Sequence, residues 1–324
     1  MVVGMGFATN STLIPSLVGK GSLIISDALN HTSIVFGARS ARAKIMKFAH
    51  NDAEDLENVI KRAIADGQPG FTAYKPWNKI LILVEGLYSM EGNICRLPAI
   101  VAVKKKYKCY LWVDEAHSIG ALGKNGRGVA EYWDPSGELA KEIDIMMGTF
   151  TKSFGSVGGY VASTKDLVDY LRTNSAASSY ASSMSPGCAA QCITALNVIR
   201  GDGTFGSTVS DEGRRKIAQL KSNAAMFRRR MKGMGCHVLG DDDSPIIPVM
   251  LYASSKIPAF SRACLERNMA VVVVGFPAVP LLLGRVRFCL SAAHTTEMLE
   301  DALEKLEEVC EMTMIKYDKS PLGI

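Results

Sequence analysis

The sequence lacks the cysteine spacings that hold metals or mark redox sites. Its 8 cysteines include no CxxC pair, the usual spacing of zinc ligands and dithiol motifs. Cys188 and Cys192 are four residues apart on a predicted helix, but no further ligand lies nearby in the sequence. Most cysteines have apolar neighbours, which is typical of reduced core thiols in a cytosol-facing protein. We therefore expect no metal site.

The sequence also has no long uninterrupted apolar run and no large excess of positive or negative charge. The most apolar segment, "MAVVVVGFPAVPLLLG", is interrupted by Pro277 and Pro280, so the chain shows neither a signal peptide nor a membrane span. The net charge is only +5, and the basic runs at 104–108 and 227–232 have the pattern of solvated helix faces. These features exclude a nucleic-acid-binding surface of the usual kind.

What the first half does contain is a regular alternation of short apolar runs and amphipathic helical stretches. The helix predicted at 52–66 has acidic residues in its first turn and Gly67 just past its end. Such alternation predicts an α/β fold with a mostly parallel sheet and helices on both faces. The runs that predict buried strands are 22–27, 44–50, 79–86, 109–117 and 143–150.

The second half begins with a long helical region, 186–232, that is interrupted by a loop at 201–207. A smaller unit of mixed strands and helices, an α+β unit, follows this region. We predict two domains, a large one at 1–205 and a second at 206–324 that includes the long helix. The predicted elements of the smaller unit are strands at 236–240, 244–251, 269–275 and 284–291, a helix at 257–268 and a final helix from Thr296.

Lys152 is the first candidate for chemistry. It follows a predicted strand, in a loop of small and hydroxylated residues that includes Thr149, Thr151 and Gly155. An enclosed lysine has a lowered pKa, which frees its amine to attack a carbonyl. A phosphate-loop NTPase would need glycine directly before the lysine, and Thr151 stands there. The DEAH tetrapeptide at 114–117 is therefore not read as part of a helicase.

Asp114 is the second candidate. It ends another predicted strand, and ligands of open α/β sheets bind at the carboxyl ends of strands. Pyridoxal phosphate needs a lysine for its Schiff base and an acid beside its ring nitrogen. Lys152 and Asp114 fit these roles, with His117 bonding the phenolic oxygen and Thr149 and Thr151 holding the phosphate. Taken singly, Asp114 also fits a helix cap and Lys152 an ordinary loop lysine; the two together favour the cofactor.

Four longer motifs stand out in the chain: "SDALNHTSIVFGAR", "VDEAHSIGALGKNGRG", "GTFTKSFGSVGGY" and "RFCLSAAHT". They resemble those of the α-oxoamine synthases, a family of fold type I pyridoxal-phosphate enzymes. The similarity runs from about Gly4 to about Tyr317 and keeps the family order. It implies a seven-stranded type of sheet with helices on both faces, a smaller C-terminal domain, and decarboxylating condensation of an amino acid with an acyl-CoA.

The resemblance assigns roles to individual residues. It implies that Arg287 grips the amino-acid carboxylate, with Arg285 as its rival two residues away. His294 belongs to the family motif, but we favour a structural role for it. His31, which on its own also fits a buried core histidine, matches one that stacks on the cofactor ring. The remaining matches are Lys152 for the Schiff base, Asp114 for the ring nitrogen, His117 for the phenolic oxygen, and Gly6, Phe7, Thr149 and Thr151 for the phosphate.

Within the family, "VEGLYSMEG", "GTFTKSFG" and "DSPIIPVMLY" look most like the members that join L-serine to palmitoyl-CoA. This implies 3-ketosphinganine as product, a paralogous subunit as heterodimer partner, and the cytosolic face of the endoplasmic reticulum membrane. Two alternatives stay open: another α-oxoamine synthase, of the glycine C-acetyltransferase, 8-amino-7-oxononanoate synthase or 5-aminolevulinate synthase type, or a non-catalytic scaffold subunit. Retention of Lys152 argues against the scaffold.

The chain departs from the family pattern in two places. The pattern normally begins well upstream of the phosphate turn, so we expect the N-terminal segment of the family, with its membrane anchor, to be missing here. Relatives usually carry threonine in place of Val279 in "GFPAVP", a loop that lies near the substrate carboxylate in the family.

Overall fold

The computed structural model describes residues 1–203 and 209–319. The chain divides into two compact units, and a short middle segment belongs to the second. Unit one is Met1–Tyr88 with Cys95–Arg214, and unit two is Ser89–Ile94 with Arg215–Ile324. The boundary predicted between residues 205 and 206, and most of the loop predicted at 201–207, lie outside the described residues.

Unit one is built on a 7-stranded sheet with the order β1-β7-β6-β5-β4-β2-β3. The pairings from β3 to β6 are parallel, whereas β7 runs antiparallel to both β6 and β1. The predicted fold class is therefore confirmed. The strands are β1 (Val2–Val3), β2 (Leu23–Asp27), β3 (Lys44–Phe48), β4 (Ile80–Glu85), β5 (Tyr110–Asp114), β6 (Ile145–Thr149) and β7 (Gly159–Ala162).

The central strands form because their side chains are apolar on both faces. Every residue of β2 is buried, as are most of β4 and β5, which is the pattern of a parallel sheet covered by helices on both sides. All five predicted strands of this half are present, each shortened at its ends. The edge strand β1 and its neighbour β7 were not predicted. β1 has two residues and β7 has four, which is too short to show a period.

Nine helices connect and cover this sheet among the residues described for unit one. The third has an Asp52 side chain accepting from the Glu54 and Asp55 amides, and Gly67 ends it at φ 65°, as its sequence predicts. The helices are α1 (Gly6–Leu17), α2 (Thr32–Ser40), α3 (Ala53–Asp66), α4 (Leu97–Tyr107), α5 (Val129–Trp133), α6 (Glu138–Lys141), α7 (Lys165–Asn174), α8 (Ala176–Tyr180) and α9 (Pro186–Arg200).

Unit two holds a 3-stranded antiparallel sheet with the order β8-β10-β9. The apolar faces of its helices and strands share a core that includes Phe227, Phe260, Val286 and Leu303. Its elements are β8 (Ile246–Tyr252), α11 (Lys256–Leu265), β9 (Val272–Val274), β10 (Gly284–Cys289), α12 (Thr296–Met312) and a 3-10 turn at Tyr317–Lys319, while α10 (Glu212–Gly233) begins before the unit boundary.

The strand predicted at 236–240 is wrong, because only an isolated bridge between Val238 and Val249 forms there. The physical reason is the buried guanidinium of Arg228. It donates to the carbonyls of Leu239 and Gly240, and oxygens occupied in this way are not available to a neighbouring strand. Gly240 also takes a φ of 85°, which turns the chain away from the sheet.

No helix within residues 1–203 and 209–319 combines the length and the apolar character that crossing a bilayer requires.

Candidate active site

The carboxyl ends of β4, β5 and β6 and the start of α1 surround a cavity of about 220 Å³ in unit one. It brings together eight of the residues proposed from sequence, which are separated by up to about 150 positions in the chain. The six other residues that line it were not predicted. The predicted residues are Gly6, Phe7, His31, Asp114, His117, Thr149, Thr151 and Lys152, and the unpredicted ones are Met5, Asn10, Ser33, Glu85, Ala116 and Met147.

Asp114 is a buried carboxylate at the end of β5. Its Oδ2 accepts from Nδ2 of Asn10 at 2.7 Å, and its Oδ1 accepts from the Ala116 amide at 2.9 Å. Burial raises the pKa of Asp114, whereas the Asn10 and Ala116 hydrogen bonds and the nearby Lys152 lower it. A carboxylate desolvated but supplied with fixed donors suits pairing with a cation inside the cavity.

The N-terminus of α1 offers free amides to an anion. Its cap residue, Met5, has no side-chain cap hydrogen bond, and the first amides of a helix have no partner within the helix. These amides and the helix dipole attract anions such as phosphate. Gly6 is required here, because a Cβ at this position would lie 2.6 Å from Oγ1 of Thr149.

The two threonines beside this helix have different hydrogen-bonding roles. Oγ1 of the buried Thr149 donates to the Gly158 carbonyl at 3.0 Å and lies 2.9 Å from Oγ1 of Thr151. The Thr149 proton is therefore used within the protein. The exposed Thr151 is the one whose hydroxyl can turn to a bound anion without breaking that contact.

The Lys152 loop is exposed in this chain, so the enclosure expected from its sequence is not provided by unit one itself. Its backbone is nevertheless held from both sides. Oγ of Ser153 donates to the Ile119 carbonyl at 2.8 Å, and Nε2 of Gln191 donates to the Phe154 carbonyl at 3.1 Å. These bonds fix the loop while the lysine side chain lines the cavity.

His31 caps α2 at the edge of the cavity. Its Nδ1 accepts from the Ser33 amide at 3.2 Å and lies 2.8 Å from Oγ of Ser33. Its backbone amide donates to Oε1 of the buried Glu85. Desolvation lowers the pKa of His31, Asp114 raises it and Lys152 lowers it again. The ring is therefore held neutral near pH 7.

A second carboxylate, Glu115, lies fully buried behind the site. It accepts from the hydroxyl of Ser118, which donates to Oε2, and from the Val129 amide. Burial raises the pKa of Glu115 to about 7. No role for this residue was predicted, and its hydrogen bonds make it an anchor for the turn that starts α5.

Arg285 and Arg287 lie two residues apart on β10, in unit two. Arg285 is 3% exposed, and it donates to the carbonyls of Leu283 and Met90 and to Oε1 of Glu91. Arg287 makes one 3.3 Å contact with the Ser89 carbonyl, and its Nε, although buried, has no partner among the described residues. Arg287 is thus the one with donors left to bind a ligand.

His294, the remaining residue of that motif, is part of a turn. Its Nδ1 accepts from the Ser291 amide at 3.2 Å, and Nδ2 of Asn223 donates to its carbonyl at 2.8 Å. Both contacts hold backbone, which agrees with a structural role.

The residues that sequence reasoning missed have weak signals. Asn10 and Ser33 lie among other polar residues at the starts of their helices, and Glu85 follows five apolar residues at the end of its strand. A charged or amide side chain where a buried strand or helix meets the carboxyl edge of the sheet is the signal that could have found them.

Comparison with known proteins agrees with this geometry. Residues 1–306 match the aminotransferase class I and II family. The chain is 53% identical to "Serine palmitoyltransferase 2" of Dictyostelium discoideum and 54% identical to "Long chain base biosynthesis protein 2b" of Arabidopsis thaliana, each over 98% of this chain. It spans only 63% of the length of each of these relatives.

A solved structure of serine palmitoyltransferase from S. paucimobilis, with PLP and myriocin bound, superimposes with a TM-score of 0.85. That match has 30% identity and covers 97% of this chain and 73% of the bacterial one. An 8-amino-7-oxononanoate synthase from Francisella tularensis, at 23% identity and a TM-score of 0.74, shares the fold. The chain therefore belongs to the aminotransferase class I and II family.

Proposed function

We propose that this chain binds pyridoxal phosphate and is the catalytic subunit of a serine C-palmitoyltransferase. The observation that carries the proposal is the cavity of unit one, where a lysine, a buried carboxylate, a neutral histidine and a helix N-terminus meet. These are the four kinds of group that the cofactor needs: an amine, a partner for its ring nitrogen, a ring contact and a phosphate site.

The residues present fit the cofactor. The free amides at Gly6 and Phe7 and the hydroxyl of Thr151 would hold the phosphate, with Thr149 fixing the position of Thr151. Asp114 would pair with the ring nitrogen, since it is already supplied with two donors that favour its charged form.

The two histidines and the lysine complete the set. His31, kept neutral, would lie against the ring, and His117 would bond its phenolic oxygen. Lys152 would hold the cofactor through its amine. When bound, the cofactor withdraws electrons from the Cα of an amino acid, which makes the Cα proton acidic.

The chain's own groups would then carry out the proton transfers. Nζ of Lys152 would take the Cα proton of serine. The new carbon–carbon bond would form between Cα and the thioester carbonyl of palmitoyl-CoA as the carbon–sulfur bond breaks, and the CoA thiolate would take a proton from solvent. The bond from Cα to the carboxyl group would then break, carbon dioxide would leave, and the proton held on Nζ of Lys152 would return to Cα. The product is 3-ketosphinganine, and loss of carbon dioxide draws the reaction forward.

Arg287 is our choice for binding the serine carboxylate. A guanidinium can bind a carboxylate through two parallel hydrogen bonds, and Arg287 has a buried Nε without a partner among the described residues. Arg285, the rival, uses its Nε and Nη1 within unit two.

We further propose that the protein works beside a paralogous subunit on the cytosolic face of the endoplasmic reticulum membrane. Support comes from apolar side chains that unit one leaves exposed where its cavity opens: Met5 is 59% exposed and Phe36, in contact with Phe7, is 54% exposed. A covering subunit would bury them and enclose Lys152. Co-purification of the full-length protein and fractionation of membranes test the partner and the location.

The fatty-acyl chain also needs an apolar surface. In unit two, Phe276 and Leu282 are each 70% exposed within the loop that joins β9 to β10. We propose this loop as part of the wall for the acyl chain. Replacing Leu282 with Ser should raise the KM for palmitoyl-CoA while leaving the dissociation constant for serine unchanged.

The experiment that tests the function is product analysis by the full-length protein, supplied with serine or glycine and acyl-CoAs of several lengths. We expect 3-ketosphinganine from serine and palmitoyl-CoA. Lys152→Ala should abolish turnover and the visible absorbance of bound cofactor. A different product would move the assignment to another α-oxoamine synthase, and a wild-type protein that binds no cofactor would leave the scaffold role.

A further inference from the structure

Asn10 is an amide buried in the second turn of α1, with only 1% of its surface exposed. Its Nδ2 lies 2.7 Å from Oδ2 of Asp114 and 3.0 Å from Oγ of Ser33. An amide nitrogen carries two hydrogens. Both are therefore used, one on a carboxylate and one on a hydroxyl.

The orientation of this amide is fixed by charge. The reverse orientation would place the Asn10 oxygen against the Asp114 carboxylate, acceptor against acceptor. In the observed orientation, Oδ1 of Asn10 is buried and has no partner among the described residues. A buried acceptor without a donor costs free energy. The two contacts of Nδ2 are therefore made despite the cost of leaving Oδ1 without a hydrogen bond from the described residues.

Ser33 connects the same amide to the histidine above the cavity. Its backbone amide donates to Nδ1 of His31 at 3.2 Å, and its Oγ lies 2.8 Å from the same atom. Because Nδ1 already accepts, the neutral ring carries its proton on Nε2. Oγ of Ser33 can then accept from Asn10 while donating to His31, so its direction is set from both ends.

We propose that Asn10 is a positioning residue, which holds Asp114 ionised and aligned for its ring-nitrogen partner. This rests on the proposed pyridoxal-phosphate function. Burial opposes ionisation of Asp114, and the Asn10 hydrogen bond is the largest of the contributions that favour it. Without the Asn10 donor, less would oppose the effect of burial, and the pKa of Asp114 would rise further. The other groups that act on Asp114 are Lys152, His31, Glu115 and Tyr160.

The consequence is a lower pH limit for cofactor binding, which is the pH below which protonation of Asp114 reduces the affinity. The ring nitrogen binds Asp114 as a cation binds an anion, so affinity falls where Asp114 takes up a proton. A hydrogen bond to a charged group shifts the pKa of that group by about one unit or more. Removing the Asn10 donor should move the limit to higher pH by that amount.

The test measures the dissociation constant for pyridoxal phosphate against pH, in full-length protein stripped of cofactor. Asn10→Asp keeps the shape but replaces the donor with an acceptor, and Asn10→Ala removes both. We expect affinity below the limit to fall about tenfold or more for Asn10→Ala, and further for Asn10→Asp because two carboxylates then face each other. Ser16→Ala, on the same helix and outside the cavity, is the control.

Ser33→Ala separates positioning from general damage. It leaves the Asn10–Asp114 contact, so its pH limit should stay within a few tenths of a unit of the wild-type value. Wild-type affinity and pH limit in Asn10→Asp, or in Asn10→Ala should the aspartate variant not fold, would overturn the inference. So would an equal shift in Ser33→Ala. If the wild-type protein itself does not bind the cofactor, the proposed function fails instead.

Discussion

Replacing Arg285 and Arg287 separately with alanine should give opposite phenotypes, although the two side chains are two residues apart on one strand. Arg285 is bonded to carbonyls and to Glu91 inside unit two. Arg287 has a single 3.3 Å contact, to the Ser89 carbonyl. The first substitution should therefore cost stability, and the second should cost binding of the serine carboxylate.

The magnitudes follow from these contacts. Removing one partner of a buried pair costs about 3–5 kcal/mol, and because the Glu91 side chain is 18% exposed we expect Arg285→Ala to lower the free energy of unfolding by about 2–3 kcal/mol. Arg287→Ala should lower it by about 1 kcal/mol, the worth of one hydrogen bond. For serine, loss of the charged grip should cost about 2–3 kcal/mol, or roughly a hundredfold in dissociation constant.

The assay is a serine titration of the full-length holoprotein, followed by the visible band of the cofactor, together with denaturant unfolding of each variant. The reasoning is refuted if Arg285→Ala weakens serine binding a hundredfold and Arg287→Ala does not. In that case the residue assignment is wrong, although the enzyme class could still be right. Equal losses of serine affinity in the two variants would show that the hydrogen bonds of the two arginines do not identify which one binds the serine carboxylate.

Three further predictions concern unit one. Asp114→Asn should still bind some cofactor but lose most turnover, and near-normal turnover would show another partner for the ring nitrogen. Gly6→Ala should weaken cofactor binding because its Cβ would lie 2.6 Å from Oγ1 of Thr149, whereas Gly187→Ala, with no neighbouring atom within 4 Å of the new Cβ, should not. Since burial raises the pKa of Glu115 from 4.5 to about 7, the unfolded chain ionises first and the free energy of unfolding should fall by about 3 kcal/mol as pH rises through that window. Glu115→Gln should abolish this part of the pH dependence, and an unchanged slope in that variant would contradict the assignment.

The central strands were predictable because their signal is local. Runs such as 79–86 are apolar throughout and end in turn residues, and the structure places strands within all five predicted runs of the first half. The strand expected at 236–240 failed because its carbonyls bind Arg228. That residue lies 11 positions before Leu239, on the preceding helix α10, and the alternation within 236–240 does not report such a contact.

The residues of the candidate site also include some that local sequence could reveal and some that it could not. Lys152 and Asp114 could be found because a charged residue after a buried strand is conspicuous in the sequence. Asn10 could not, since its importance lies in a contact with Asp114 across 104 positions. The exposure of Lys152 was also beyond the sequence, because enclosure depends on what surrounds a loop and not on its composition.

The segment Ser89–Ile94 has a consequence for the order in which the protein is made. It is translated within unit one, but its partners belong to unit two: the Ile94 amide bonds Asp241 across 147 positions, and the Ser89 carbonyl bonds Arg287 across 198. At a synthesis rate of about 5–20 residues per second, these partners follow roughly 7–40 s later. Until then these two hydrogen bonds cannot form, whereas β4 and β5 on either side of the segment are already available to pair. Unit two therefore completes its fold around a segment that is synthesised well before the rest of the unit. A separately expressed C-terminal fragment would lack this segment and, with it, part of the contacts of unit two.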